Sequence, residues 1–364
     1  MTVERDIAGF AFPFTAGILM TSFFGTTSSY GPALLFFLLT ATSVLLLMHP
    51  SHKRWDGRFL TALIIIASSG CGCMVGLTTL NSSVGVPADF SLIPEHIREL
   101  GHNMKSLIYA IPFRESNTNS VIAAMITGER TGLPQSIRMA FMKSGAAHIL
   151  ALSGLHLGIV YGTISYILSV AGNSPAAKKM RALFLIIACG TYTAATGAGA
   201  SITRAFLFIL IRETALLTGR NRNIATILMT SLFVQLLFSP GSSRDVGFQL
   251  SYAAMAGIAF ISPWLKGLWP GSRGGTMRRI WDSAAISIAC QVTTGPIAYL
   301  YFSTFPQYFL LTNLLALPLV GLIIPMSLII IGINAVWNCP ELLIKATEGL
   351  TQGMLFILET ISSL

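Results

Sequence analysis

Between Asp6 and Lys53, and again between Asp282 and Glu341, the chain carries no Asp, Glu, Lys or Arg. Five more uncharged stretches reach twenty residues or more: 59–88, 144–177, 182–203, 223–243 and 246–265. Crossing about 30 Å of hydrocarbon takes roughly 20 mostly apolar residues as a helix, so the two longest stretches each hold a pair of spans. The segment Ile202 to Thr218, interrupted by Arg204, Arg212 and Glu213, brings the expected number to about ten. Backbone polar groups must be paired in lipid, and the alternation of barrel strands about every ten residues is missing, so helices are the remaining solution. With 53% apolar and 10% charged residues, against the roughly 25% charged of a soluble domain, a water-soluble monomer is excluded. The expected fold is all-α: a polytopic transmembrane helical bundle with broken helices and interfacial amphipathic helices.

Basic residues gather in alternate loops: Lys53, Arg54 and Arg58; Lys178, Lys179 and Arg181; Arg220 and Arg222; Lys266, Arg273, Arg278 and Arg279. The positive-inside rule makes those loops cytoplasmic, puts the N-terminus inside, and places segments near 25–29, 81–145, 239–247 and 303–308 outside. A multi-pass membrane protein is implied. Most of the net charge of +9 is then a topology signal. The first hydrophobic stretch lacks a small-residue cleavage site before a polar region, so it reads as a retained span. All five cysteines sit in or beside apolar stretches without zinc spacing, so neither a disulfide framework nor a metal site is expected.

Four regions follow: an N-terminal three-span region over 1–80, an external interfacial segment over 81–119, a core over 120–338, and an amphipathic or partial membrane segment over 339–364. In the external segment, Ile97, Leu100, Met104, Leu107 and Ile108 recur at helical spacing after Pro94, which predicts a helix on the membrane surface. Residues 119–144 predict an interfacial helix pair broken by Gly128 and by Gly132-Leu133-Pro134. Arg98, Lys105, Arg114, Arg130, Arg138 and Lys143 remain on the face where the charge rule asks for no cations, which suits collection of a polyanion.

Polar side chains inside spans cost about 2.5 to 3.5 kcal/mol on insertion scales, so each is a functional candidate by default. The run Ala147 to Gly158 holds His148, Ser153, Gly154 and His156; a continuous helix would set Ser153 and His156 on one face and His148 about 80° away. Thr191 to Arg204 is rich in glycine and small residues, which predicts close helix approach or a broken helix facing a cavity that Arg204 would meet. Asp245 and Gln249 stand at the entry of the next span, where Asp245 could pair with an arginine; Gln291, Pro296, Asn313 and Pro318 interrupt the last pair. Each of these polar groups can equally serve as glue between helices.

The runs Met125 to Arg130, Phe141 to Gly145 and His148 to His156, with Leu152-Ser153-Gly154-Leu155-His156 the most specific, resemble the signature of ComEC-type competence proteins. The similarity continues through Tyr192 to Gly199, Arg204-Ala205, Gly219-Arg220, Ser239-Pro240, Gly247 to Ser251, Pro296, and Asn313 to Leu315 with Pro318, covering about 120–325. The resemblance implies an inner-membrane channel that passes single-stranded DNA to the cytoplasm, with a DNA receptor on the outer face and an ATP-dependent motor on the inner one. Large members add an external OB-fold and a C-terminal metallo-β-lactamase-like domain. About 40 residues between Asn81 and Asn119 are too few for that barrel, and none of the six histidines forms His-x-His-x-Asp-His. The chain is therefore expected to be non-enzymatic and cofactor-free, as a fragment, a core-only relative, or a member whose other modules are separate chains.

A passage for single-stranded DNA needs cations, water and stacking surface. Ser153, His156, Arg204 and Gln249 are expected to face it, with His148 adding charge and Tyr192, Tyr252, Tyr299 and Tyr301 offering rings. Two other readings stand beside it. A secondary transporter of a small anion would equally use broken helices and a membrane arginine. An intramembrane hydrolase with Ser153 as nucleophile would need its base on another helix.

Overall fold

The computed structural model describes residues 13–18, 65, 66, 68, 69, 72, 95–150, 152–170, 172, 174–219, 223–269, 275–303, 308–334 and 339–363. Most of the expected three-span region over 1–80, and residues 81–94, lie outside the described residues. Every regular element among the described residues is helical. Among the described residues, three helices are long and apolar enough to cross a membrane: Val246–Gly267, Thr276–Phe302 and Phe309–Asn334. Two shorter apolar helices are Gly154–Ser169 and Ile224–Phe238.

The chain divides into two compact units, one formed by Met1–Pro87 with Arg222–Tyr252 and the other by Ala88–Asn221 with Ala253–Leu364. The larger unit opens with α1 (Glu95–Tyr109), α2 (Ser116–Thr127), α3 (Gln135–Lys143) and the single turn α4 (Ala147–Leu150). It continues with α5 (Gly154–Ser169), α6 (Pro175–Ala195) and α7 (Ala200–Leu217). In the smaller unit, α8 (Ile224–Phe238) leads through a 3₁₀ turn, Pro240–Arg244, to the start of α9 (Val246–Ala256); from Ala253 the chain belongs to the larger unit, where α9 runs on through a π turn into α10 (Ser262–Gly267). The last three helices are α11 (Thr276–Phe302), α12 (Phe309–Asn334) and α13 (Glu341–Ser362).

The core of the larger unit forms around α2, whose residues from Thr118 to Ile126 are all buried. The expected interfacial pair is corrected here: only α3 keeps an exposed face, while α2 is enclosed on every side. The reason lies in its small side chains. Ala123 and Ala124 allow neighbours to approach closely, and Ile122 and Met125 join Val320, Ile324 and Leu355 in one cluster. Its polar groups are paired inside: Asn119 Nδ2 donates to the carbonyls of Ile108 (2.8 Å) and Ile111 (3.1 Å), and Gln352 donates to the Thr118 hydroxyl at 3.1 Å. Gly128 then ends the helix with φ of 77°, a left-handed cap that disfavours a side chain.

The predicted surface helix exists as α1, yet its apolar face meets protein. Ile108 is fully buried, and Met104 and Leu107 pack against the core cluster. At Gly101 a Cβ atom would lie 2.2 Å from the carbonyl oxygen of Ala195, so the backbones of α1 and the end of α6 touch directly. The expected break in the glycine-rich strip falls between α6 and α7, where Gly197 and Ala198 take positive φ and the Ala198 amide donates to the Thr193 carbonyl at 2.8 Å.

The uncharged stretch 283–340 gives the pair α11 and α12, each carrying internal proline: Pro296, and Pro318 with Pro325. The segment expected as amphipathic, 339–364, is the 22-residue helix α13; Ile344, Met354, Leu355 and Leu358 are buried in the core cluster, and Leu342 and Phe356 are exposed.

Candidate functional site

The Leu152 to His156 run is a helix break. The turn α4 closes at Leu150, and Ser153 has extended backbone (φ −128°, ψ 175°) as the residue that starts α5. The side chain of His156, in the first turn, folds back on it: the Ser153 amide donates to His156 Nδ1 at 3.3 Å, and the hydroxyl lies 3.2 Å from the same nitrogen. This is the geometry of a capping box with histidine in the place usually taken by Glu or Gln. The expected single helix face shared by Ser153 and His156 is thus corrected: serine and glycine favour starting a helix over continuing one. His148 belongs to the separate turn α4, exposed, with Nδ1 3.2 Å from the carbonyl oxygen of Gly145.

Accepting at Nδ1 leaves a neutral His156 with its proton on Nε2. That nitrogen is buried without a hydrogen-bond partner among the described residues, and the whole residue is 0% exposed. At the same end of α5, a Cβ on Gly154 would meet Cβ of Ala205 at 3.2 Å, so the absence of a side chain brings α5 onto α7 beside Arg204. Arg204 is itself buried, 7% exposed. Leu157, Cys189, Ile202 and Ile209 form a cluster from α5, α6 and α7 that encloses this level.

Further along the α5 to α7 contact lies a polar group that the sequence reading only half identified. Tyr161 donates its hydroxyl to Glu213 Oε1 at 2.6 Å and accepts from Arg212 at 2.9 Å, and the Arg212 guanidinium sits 5.2 Å from the Tyr161 ring centroid. Glu213 is 3% exposed. A tyrosine two turns into an apolar helix was the available signal for this partner.

Tyr192 donates its hydroxyl to the carbonyl of Ile126, tying α6 to the end of α2. Asn313, near the start of α12, has a buried and unpartnered Oδ1 beside Thr312, whose hydroxyl donates to the Ser144 carbonyl at 2.7 Å. In the smaller unit, Asp245 accepts from the amides of Gly247 (3.3 Å) and Phe248 (3.0 Å), the N-cap arrangement for α9. Gln249 donates to the Ser243 carbonyl at 2.9 Å.

Of the cations expected on the outer face, Lys105 pairs with Glu129 at 3.2 Å, Arg130 Nε donates to the Leu150 carbonyl at 3.1 Å, and Arg138 donates to the Arg130 carbonyl at 2.9 Å. Glu129 also accepts from the Thr131 hydroxyl and amide, and these bonds, with the Lys105 ammonium, hold its carboxyl below the ordinary glutamate range. Arg114 and Lys143 are exposed; the side chain of Arg98 is outside the described residues.

Comparison with known proteins places these features in a family. A family model described as "Competence protein" matches residues 125–364. Over 202 residues the chain is 26% identical to ComE operon protein 3 of Bacillus subtilis (strain 168), a match covering 56% of this chain and 25% of that relative. The chain therefore spans about a quarter of the length of the curated relative it matches. No solved structure matches. With the family match running from the end of α2 through the Ser153 break, the Arg204 helix and α13, the chain belongs to the competence protein family.

Proposed function

We propose that this membrane protein serves DNA uptake as the channel that passes one DNA strand through the bacterial inner membrane, N-terminus in the cytoplasm. The observation that carries the reading is the burial of a permanent cation, Arg204, with His156 and Glu213 on packed helices that meet through a small-residue contact at Gly154 and Ala205. A guanidinium is costly to place within a bilayer, so such a residue marks a functional position by default, and a phosphate chain is a ligand of matching charge.

In the conformation described, Arg204 and His156 lie within the packing of α5, α6 and α7. Strand passage at this level therefore requires α5 and α7 to part. The glycine contact at 154 is a suitable place, because little side-chain volume interlocks there. The proline-interrupted α12, which packs against α5, supplies a neighbour whose freed carbonyls can be rewetted. In this reading the chain conducts and does not cut; a receptor presents DNA outside, and an ATP-driven motor draws the strand from inside.

Replacing Arg204 with Leu, in cells where the protein still inserts, is expected to abolish uptake. Unimpaired uptake by that variant would remove Arg204 from the mechanism. Purified protein should bind single-stranded DNA; small-anion flux in vesicles without such binding would favour the transporter reading instead.

A further inference from the structure

A second polar place, away from the α5 to α7 contact, lies where α1 ends and α2 begins. Tyr109, Phe113, Arg114, Asn117, Ser120 and Gly132 line an open groove of about 580 Å³. That volume lies within the range of small-molecule sites. Its lining combines two aromatic rings and Ile111 with a cation and hydroxyl and amide side chains.

The groove is held in shape from beneath. Asn119 spends its amide on the carbonyls of Ile108 and Ile111, which fixes the turn carrying Phe113 and Arg114 against the start of α2. Gly132 completes the wall: a Cβ there would come 2.7 Å from the Tyr109 hydroxyl and 3.5 Å from Ser120 Oγ, so the missing side chain is what leaves the tyrosine its position. Arg114 is exposed, and the nearby acid Glu341 is engaged by Lys345 at 2.8 Å. The Glu115 amide is taken by Glu348 at 2.8 Å. The first-turn amides of Ser116 and Asn117 have no partner within the helix, and the positive end of the helix faces the same space as Arg114.

We propose that this groove holds one nucleotide of a single-stranded polynucleotide, its phosphate on Arg114 and the first turn of α2, and its base against the Tyr109 ring. The inference rests on the strand-passage reading and names where the strand is first held. Recognition is sequence-tolerant, because stacking and a phosphate contact read no base edge. The shared chemistry, a phosphate anion, could also come from free phosphate, and the test separates the two.

The full chain in detergent is titrated with a fluorescent mixed-sequence 12-mer, for the parent and for Arg114→Gln, Tyr109→Leu and Gly132→Ala. The first two positions are exposed, so folding is retained, and a monodisperse size-exclusion profile verifies it for all three. The expected result is a loss of tenfold or more for Arg114→Gln, with the log–log salt slope reduced by about 0.7, the contribution of one phosphate on a single strand. Tyr109→Leu should lose about fivefold or more, the low end of stacking energies, with its salt slope unchanged. Gly132→Ala should weaken binding, and adding Tyr109→Phe should restore part of it. If the parent binds and all variants bind equally, the groove is overturned while strand passage stands. A parent that binds no oligonucleotide overturns both. Displacement of the 12-mer by inorganic phosphate at equal phosphate concentration overturns the polynucleotide assignment in favour of a small anion.

Discussion

Arg130 donates from Nε to the carbonyl of Leu150, twenty residues further on, at 3.1 Å. The cation closes the end of α4 just before the chain breaks at Ser153, so part of the basic character of residues 95–145 goes into holding the segment together. Arg138 in turn donates to the carbonyl of Arg130, and Lys105 pairs with Glu129 next to it.

Replacing Arg130 with Ala leaves the Leu150 carbonyl without its charged donor. Because the guanidinium is exposed, the expected cost is about 1 kcal/mol, below the range for buried bonds to charged groups. Thermal unfolding of the purified variant checks this; an unchanged transition would show that water replaces the contact fully.

Ser153→Ala removes the hydroxyl beside His156 and should lower stability by about 1 kcal/mol, as for other helix caps. DNA uptake should persist, and a serine-directed probe should not label the parent. His156→Gln should keep the cap, since Gln is an ordinary partner at that position, whereas His156→Leu leaves the Ser153 amide unpaired. The ordering of the two unfolding midpoints, Gln above Leu, is the measurement.

Tyr161→Phe deletes a hydroxyl that both donates to Glu213 and accepts from Arg212. With Glu213 buried, the loss should be about 1.5 to 3 kcal/mol. The double variant Tyr161→Phe with Glu213→Leu should cost less than the two single changes added together, a coupling that a double-mutant cycle reads directly.

The Glu129 carboxyl is held below its ordinary range chiefly by the Thr131 hydroxyl, then by Lys105. A group with a depressed folded pKa contributes stability that is present above its unfolded value and lost as pH falls through the folded one. Denaturation midpoints of parent and Glu129→Gln should therefore differ near neutrality and converge as pH drops below the ordinary glutamate range. A difference that persists at low pH would place the contribution elsewhere.

Gly101→Ala would set a methyl group 2.2 Å from the Ala195 carbonyl oxygen. The neighbour is backbone and has nowhere to yield, so α1 must lift from α6 at a cost of about 1 to 3 kcal/mol. Faster hydrogen exchange in α1 is the observable; unchanged exchange would mean that the helices slide past one another freely.

What the sequence disclosed followed from how strongly each element depended on composition alone. The α11 and α12 pair was legible because a 58-residue uncharged run has to turn once, and the α6 to α7 break because Gly197 and Gly199 flag it. The burial of α2 was hidden: Thr118, Asn119 and Ser120 read as polar surface until tertiary partners for Thr118 and Asn119 are known. Ser153 and His156 were recognised as a pair, but the i to i+3 spacing fits a helix face and a capping box equally, and only backbone angles separate them. Of the groove, Arg114 was identified by its charge; Tyr109 and Gly132 come together only through a turn and a loop 23 residues apart in sequence.

The bare backbone contact of Gly101 with Ala195 joins the outer helix to the hinge at Gly197 and Ala198, from which α7 and its arginine depart. No side chain stands between the two backbones at this point. Tension applied to a polymer gripped near Tyr109, at the far end of α1, would bear on the same joint from which the Arg204 helix swings.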